Sequence, residues 1–138
     1  MRPIAGFSLW LGNAYEARDL HAIHSAEIQA VVDLALNEPP LAVSRELVYC
    51  RFPLIDGAGN PTWLLRTAVQ TLANLLRANV PTYLFCSAGL SRSPVIAAVA
   101  IAKLRSTSLH DELLTILHAA PADVSAAFVT DCESASPF

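Results

Sequence analysis

Three cysteines are too few and too far apart to staple this chain. Cys50, Cys86 and Cys132 are odd in number and form no C-x-x-C pair, so neither a disulfide framework nor a zinc site is indicated. Long apolar runs are missing as well. The longest, over residues 95–102, stops far short of the roughly 20 residues of a membrane-spanning helix, although 54% of the residues are hydrophobic. Basic charge is scarce and scattered: nine Lys and Arg against twelve Asp and Glu leave a net charge of −3. That balance disfavours a surface for nucleic acid or anionic membrane, so any bound anion must be met locally. The opening residues lack a small-x-small cleavage site and run at once into acidic positions, which reads against a signal peptide. No repeat, charge block or linker divides the sequence. The expectation is a single domain over residues 1–138, soluble and cytoplasmic, with no membrane insertion and enough chain to bury a core unaided.

What is present alternates between two periods. Residues 7–12, "FSLWLG", read as a strand, followed by Asn13 and Glu16 at capping-box spacing and a helix over residues 14–25. Residues 28–35, "IQAVVDLA", are β-branched and nearly continuously apolar, as in a strand covered on both faces. Residues 46–52 alternate and form another strand, and "PLIDGAGNP" after them is a turn-rich loop. Leu64, Leu65, Ala68, Leu72, Leu75 and Leu76 then repeat at helical spacing over residues 62–77. A short strand, residues 81–85, leads through a loop to a helix expected to be capped by Ser93, with Pro94 in its first turn. Two more helices follow, with Ser108 and Asp123 as caps. Trp10 and Trp63 read as packing residues. The alternation predicts an α/β three-layer sandwich around a mainly parallel sheet of four to five strands, with ligands at the carboxyl ends of the strands.

Cys86 stands at such an end, in "FCSAGLSRS". Alone, it reads either as a small buried hydrophobe or as a nucleophile, and nucleophilic use requires nearby positive charge or dipoles to hold the thiolate. The loop offers both. Small residues at Ser87, Ala88 and Gly89 let the chain turn tightly, so that backbone N–H groups and the following helix's positive end face inward. Arg92, six residues on, supplies a guanidinium fork suited to two phosphate oxygens. The same basket suits a dianionic phosphate with sulfur beneath its phosphorus.

"CSAGLSR" matches the C-x5-R signature of the cysteine-dependent protein tyrosine phosphatases, and "SAGLSRSPVIAAVAI" resembles their dual-specificity branch. The resemblance extends to "LWLGNAYEARD", "VVDL" and "FPLIDGAGN", most of the chain. It implies Cys86 as nucleophile through a phosphocysteine, Arg92 as phosphate clamp, and Ser93 as hydrogen-bond donor to the leaving sulfur. Ser87, Ala88, Gly89, Leu90 and Ser91 would add backbone donors. It also implies a general acid, and Asp56, about 30 residues before the cysteine in a Gly-flanked loop, holds the matching position. No metal or cofactor is called for. His21 and His24 lie three apart on a predicted helix with no third ligand in view.

Phe85 departs from the pattern. The resembling family usually carries a histidine before the nucleophile, supporting the loop through hydrogen bonds that a phenyl ring does not make. The expectation is weakened thiolate stabilisation and slower turnover. The expected activity is hydrolysis of phosphotyrosine or phosphoserine/threonine in proteins. Three other readings stay open: a phosphate-binding module that no longer turns over, a phosphatase for a small-molecule or lipid phosphate, and a rhodanese-like sulfur transferase, whose loops are usually shorter. A low-molecular-weight phosphatase would carry its cysteine loop near the N-terminus. The loop lacks the lysines of many inositide-hydrolysing relatives, which tilts the substrate toward phosphoprotein.

Overall fold

Five strands form one sheet in the order β1-β2-β5-β3-β4, with β5 at its centre. They are β1 (Arg2–Pro3), β2 (Leu9–Asn13), β3 (Ala30–Ala35), β4 (Val48–Leu54) and β5 (Thr82–Cys86) in a computed structural model that describes all 138 residues. β2, β5, β3 and β4 run parallel, and β1 pairs antiparallel on the edge of β2. This is the expected mainly parallel sheet. The edge strand was not legible in advance, because a two-residue element with a proline carries no periodicity, and proline is tolerated only at such an edge.

Alternation along the central strands sorts side chains to two faces. Leu84 and Cys86 of β5, with Leu9, Leu11, Val32 and Leu34, enter the larger core cluster. The helices of that face are α3 (Thr62–Arg77), α4 (Arg92–Arg105), α5 (Leu109–Ala119) and α6 (Ala126–Ala135). Tyr83 and Phe85 point to the other face, where Ala14, Ala17, Ile23 and Val31 close a smaller cluster beneath α1 (Ala14–Ala17) and α2 (Leu20–Ser25). Both faces of β5 are therefore covered, and all five of its residues are buried.

α3 begins and ends where its periodic stripe does, and Asn79 stops it in a left-handed conformation (φ 57°). Trp63 lies off that stripe and is exposed, contrary to its expected packing. The helix expected over residues 14–25 is two. Asn13 and Glu16 make the reciprocal capping box of α1, and Asp19 then accepts from the Ala22 N–H and starts α2. A second cap inside a helical stretch competes with continuation. α4 starts two residues early, with Ser91 at the cap position in place of Ser93. The last helix is capped by Ser125, whose hydroxyl accepts from the Phe128 N–H, which frees Asp123 from the capping role expected of it.

Candidate active site

The carboxyl ends of β3, β4 and β5 meet at one cleft of about 500 Å³. Cys86, 2% exposed, forms its floor at the end of β5. Residues 87–91 then turn from strand to helix, with the carbonyls of Ser87, Gly89 and Ser91 bonded to groups that do not line the cleft. The Ser87 carbonyl accepts from the Ala14 N–H (3.1 Å), that of Ser91 from the Val95 N–H (3.2 Å), and that of Gly89 from the Arg2 guanidinium (3.2 Å). No N–H of residues 87–91 donates to an acceptor within the chain. A loop with three of its oxygens engaged and its N–H groups uncommitted has the form of an anion-binding nest, reinforced by the N-terminus of α4. Gly89 permits the turn: its φ is 75°, and a Cβ there would sit 2.7 Å from the Gly12 carbonyl oxygen.

Arg92 enters from the first turn of α4 and is 6% exposed. Its Nη1 donates to the carbonyls of Leu54 (2.8 Å) and Leu34 (3.3 Å), tying the ends of β4 and β3 together. Nη2 donates to Asn37 Oδ1 (3.1 Å), while Nε is buried with no partner in the chain. The guanidinium is thus fixed along one edge, and the edge carrying Nε has donor capacity in hand. Asn37 also donates to the Ser87 hydroxyl (3.1 Å), which donates in turn to Glu38 (3.0 Å). The segment after β3 therefore braces both the loop and the arginine. Asn37 was not anticipated from sequence, though its position just past a parallel strand's carboxyl end is where such residues belong.

Ser93 is fully buried, and its hydroxyl bonds no group of the chain. Asp56 is exposed and lines the cleft from the loop after β4. Asp123 lines it too, from the segment before α6, so the rim carries two carboxylates. Arg92 is the single cationic lining residue. Leu36, Ile55 and Leu90, each more than 40% exposed, give the same rim an apolar component.

The other two thiols sit where burial disfavours the thiolate. Burial pushes Cys50 up, and burial with the neighbouring Asp131 and Glu133 carboxylates pushes Cys132 to about 12. Phe85, 1% exposed, stacks on Tyr83 with centroids 5.6 Å apart, on the sheet face opposite Cys86. Burial also raises the Tyr83 phenol, which donates to the Asn13 carbonyl (2.8 Å). The ring at position 85 is thus a packing element, and the loop is held by its bonded carbonyls and the Asn37 brace.

A mainly parallel five-stranded sheet with a C-x5-R loop between its central strand and the next helix is the architecture of the dual-specificity phosphatases, and the chain has that fold. Among solved structures it superposes on DUSP15 with a TM-score of 0.77 at 22% identity, covering 97% of this chain and 85% of that one. Human DUSP28 gives 0.79 at 21% identity over 93% and 90% of the two chains. A human tyrosine phosphatase-like serine/threonine/tyrosine-interacting protein gives 0.78 at 16% identity over 92% and 89%. No family model and no curated protein matches the sequence.

Proposed function

We propose that this chain is a cysteine-dependent phosphomonoester hydrolase working through a phosphocysteine, with phosphorylated protein side chains as its substrates. One observation carries the reading: a loop of uncommitted N–H groups and an arginine with an unpartnered buried Nε surround Cys86 where it lines the cleft. In the first step the Cys86 thiolate attacks phosphorus in line, forming the S–P bond as the ester P–O bond breaks. Asp56 gives its proton to the departing oxygen, which would otherwise leave as a poor alkoxide or phenolate. Arg92 and the N–H groups of Ser87, Ala88, Gly89, Leu90 and Ser91 take up charge on the equatorial oxygens. In the second step water attacks the phosphocysteine, Asp56 accepts its proton, and the thiolate departs. The unsatisfied Ser93 hydroxyl is suited to donate to the sulfur at that moment.

The rim argues for the substrate. A polyanionic inositide brings extra phosphates against Asp56 and Asp123 with no lining base but Arg92 to receive them, whereas a phosphorylated side chain brings one phosphate and an apolar stem that Leu36, Ile55 and Leu90 can cover. Phosphate release from a phosphotyrosyl or phosphothreonyl peptide is therefore expected to exceed that from a phosphoinositide by about tenfold or more in kcat/KM. The reverse order in a side-by-side panel would reject the protein-substrate reading. Binding of the peptides with no release at high enzyme concentration would favour a non-hydrolysing module.

Phe85→His tests the departure at the strand end. An imidazole there offers the loop backbone a donor, so alkylation of Cys86 near neutral pH and turnover are both expected to rise a few-fold. Losing the Tyr83 stack and burying a polar ring is expected to lower the melting temperature by a few degrees. Identical alkylation rates in wild type and variant would show that position 85 does not tune the thiol.

A further inference from the structure

Asp56 itself makes no bond that would place it, yet its loop is held. Asn60, 8% exposed, uses its side chain as an internal scaffold for the segment that carries Asp56. Its Oδ1 accepts from the Ile55 N–H (2.7 Å), and its Nδ2 faces the carbonyls of Ile55 (3.0 Å) and Gly57 (3.1 Å). The residues on both sides of Asp56 are therefore bonded to one amide group. That amide is fixed from outside by one residue: Asp131 Oδ2 accepts from Asn60 N (3.1 Å) and Asn60 Nδ2 (3.0 Å), across 71 positions of sequence. The other Asn60 side-chain bonds stay within the loop, so removing the carboxylate leaves the loop's internal scaffold but takes away its tie to the helix that carries Asp131.

Asp131 sits on α6, and the same helix holds the phosphate loop. Ser125, its cap, donates its N–H to the Ser91 hydroxyl (2.8 Å). Six residues separate Ser125 from Asp131, about 9 Å along a helix axis. One rigid element thus touches the phosphate loop at its start and the Asp56 loop further along. We propose that Asp131 is a positioning residue for the general acid: through Asn60 it holds Asp56 at the distance from Cys86 at which its proton reaches the leaving oxygen, with α6 as the spacer. The inference rests on the phosphatase reading above and adds to it a residue remote from the reacting atoms.

Proton donation matters in proportion to how badly the leaving group needs it, which separates mispositioning from general damage. Asp131 is half-buried and outside the core clusters, so its replacement opens no cavity in the core. In Asp131→Ala, kcat/KM for phenyl phosphate, a poor leaving group, is expected to fall about ten- to a hundredfold, while kcat/KM for 2,4-dinitrophenyl phosphate, which like the first reports only steps through S–P bond formation, stays within about twofold. Asn60→Asp, which removes the Nδ2 donors, is expected to give the same split. Asp131→Asn keeps an oxygen able to accept both bonds and is expected to recover most of the phenyl phosphate rate. An equal fall on both substrates, or no fall on either, would overturn the positioning role while leaving the phosphatase reading intact. A wild-type chain inert toward both substrates would overturn that reading and the role of Asp131 with it.

Discussion

Replacing Cys86 by serine is expected to cut turnover of an aryl phosphate by at least about a thousandfold, because the hydroxyl is a far weaker nucleophile and leaving group than the thiolate. Binding should survive. The donors proposed to hold the phosphate are the N–H groups of residues 87–91 and the guanidinium of Arg92, and none of them is altered by exchanging sulfur for oxygen. Cys86 is buried at the end of the central strand, and serine differs little from it in volume, so the fold should persist as well. Phosphate release together with calorimetric affinity for a phosphotyrosyl peptide separates the two effects. Undiminished release by the variant would exclude the phosphocysteine route. Loss of affinity in step with rate would mean that the loop itself had moved.

Arg92→Lys should damage two properties at once. A lysine ammonium is a point donor and does not span the Leu34 and Leu54 carbonyls, the Asn37 amide oxygen and a phosphate together. Loss of the fork is expected to lower kcat/KM by about a hundred- to a thousandfold, the scale found when a preorganised donor to developing negative charge is removed. The strand-end carbonyls lose charge-assisted partners as well, at a cost of about 1.5–3 kcal/mol. For a domain of this size that cost corresponds to a melting temperature lower by about 5–10 °C. A steady-state assay and a thermal melt on the same preparation check both. An unchanged melting temperature would mean that the sheet does not depend on this residue for closure.

The parts legible in the sequence are those whose causes are local. The bounds of α3 follow from its own apolar stripe. Cys86 and Arg92 were legible because a loop of fixed length ties them together, whatever the rest of the chain does. The break between α1 and α2 was missed because Asp19, inside the helix expected over residues 14–25, acts as a second cap. Asp123 was read as a cap because it stands first in an apolar segment, but Ser125 has the spacing to the Phe128 N–H. The residues that hold the site together were harder to see. Asn37 meets Arg92 across 55 positions, and Asp131 meets Asn60 across 71, and no periodicity or spacing rule connects residues so far apart. Asn60 lies in a Gly-rich turn, where asparagine is ordinary. Its significance lies in the helix that arrives later in the chain.

The arrangement of Arg92 also bears on how such a domain changes over generations. The guanidinium joins β3 to β4 as well as facing the cleft, so a substitution there harms folding and recognition together, and selection sees both defects at once. Asp56 and Asp123 stand exposed at the rim, outside every ion pair of the chain, and either can be exchanged with the sheet undisturbed. On the proposed mechanism, descent from a hydrolase to a protein that only holds phosphate runs through the rim, where one substitution at Asp56 removes the proposed proton donor and leaves the loop and Arg92 standing.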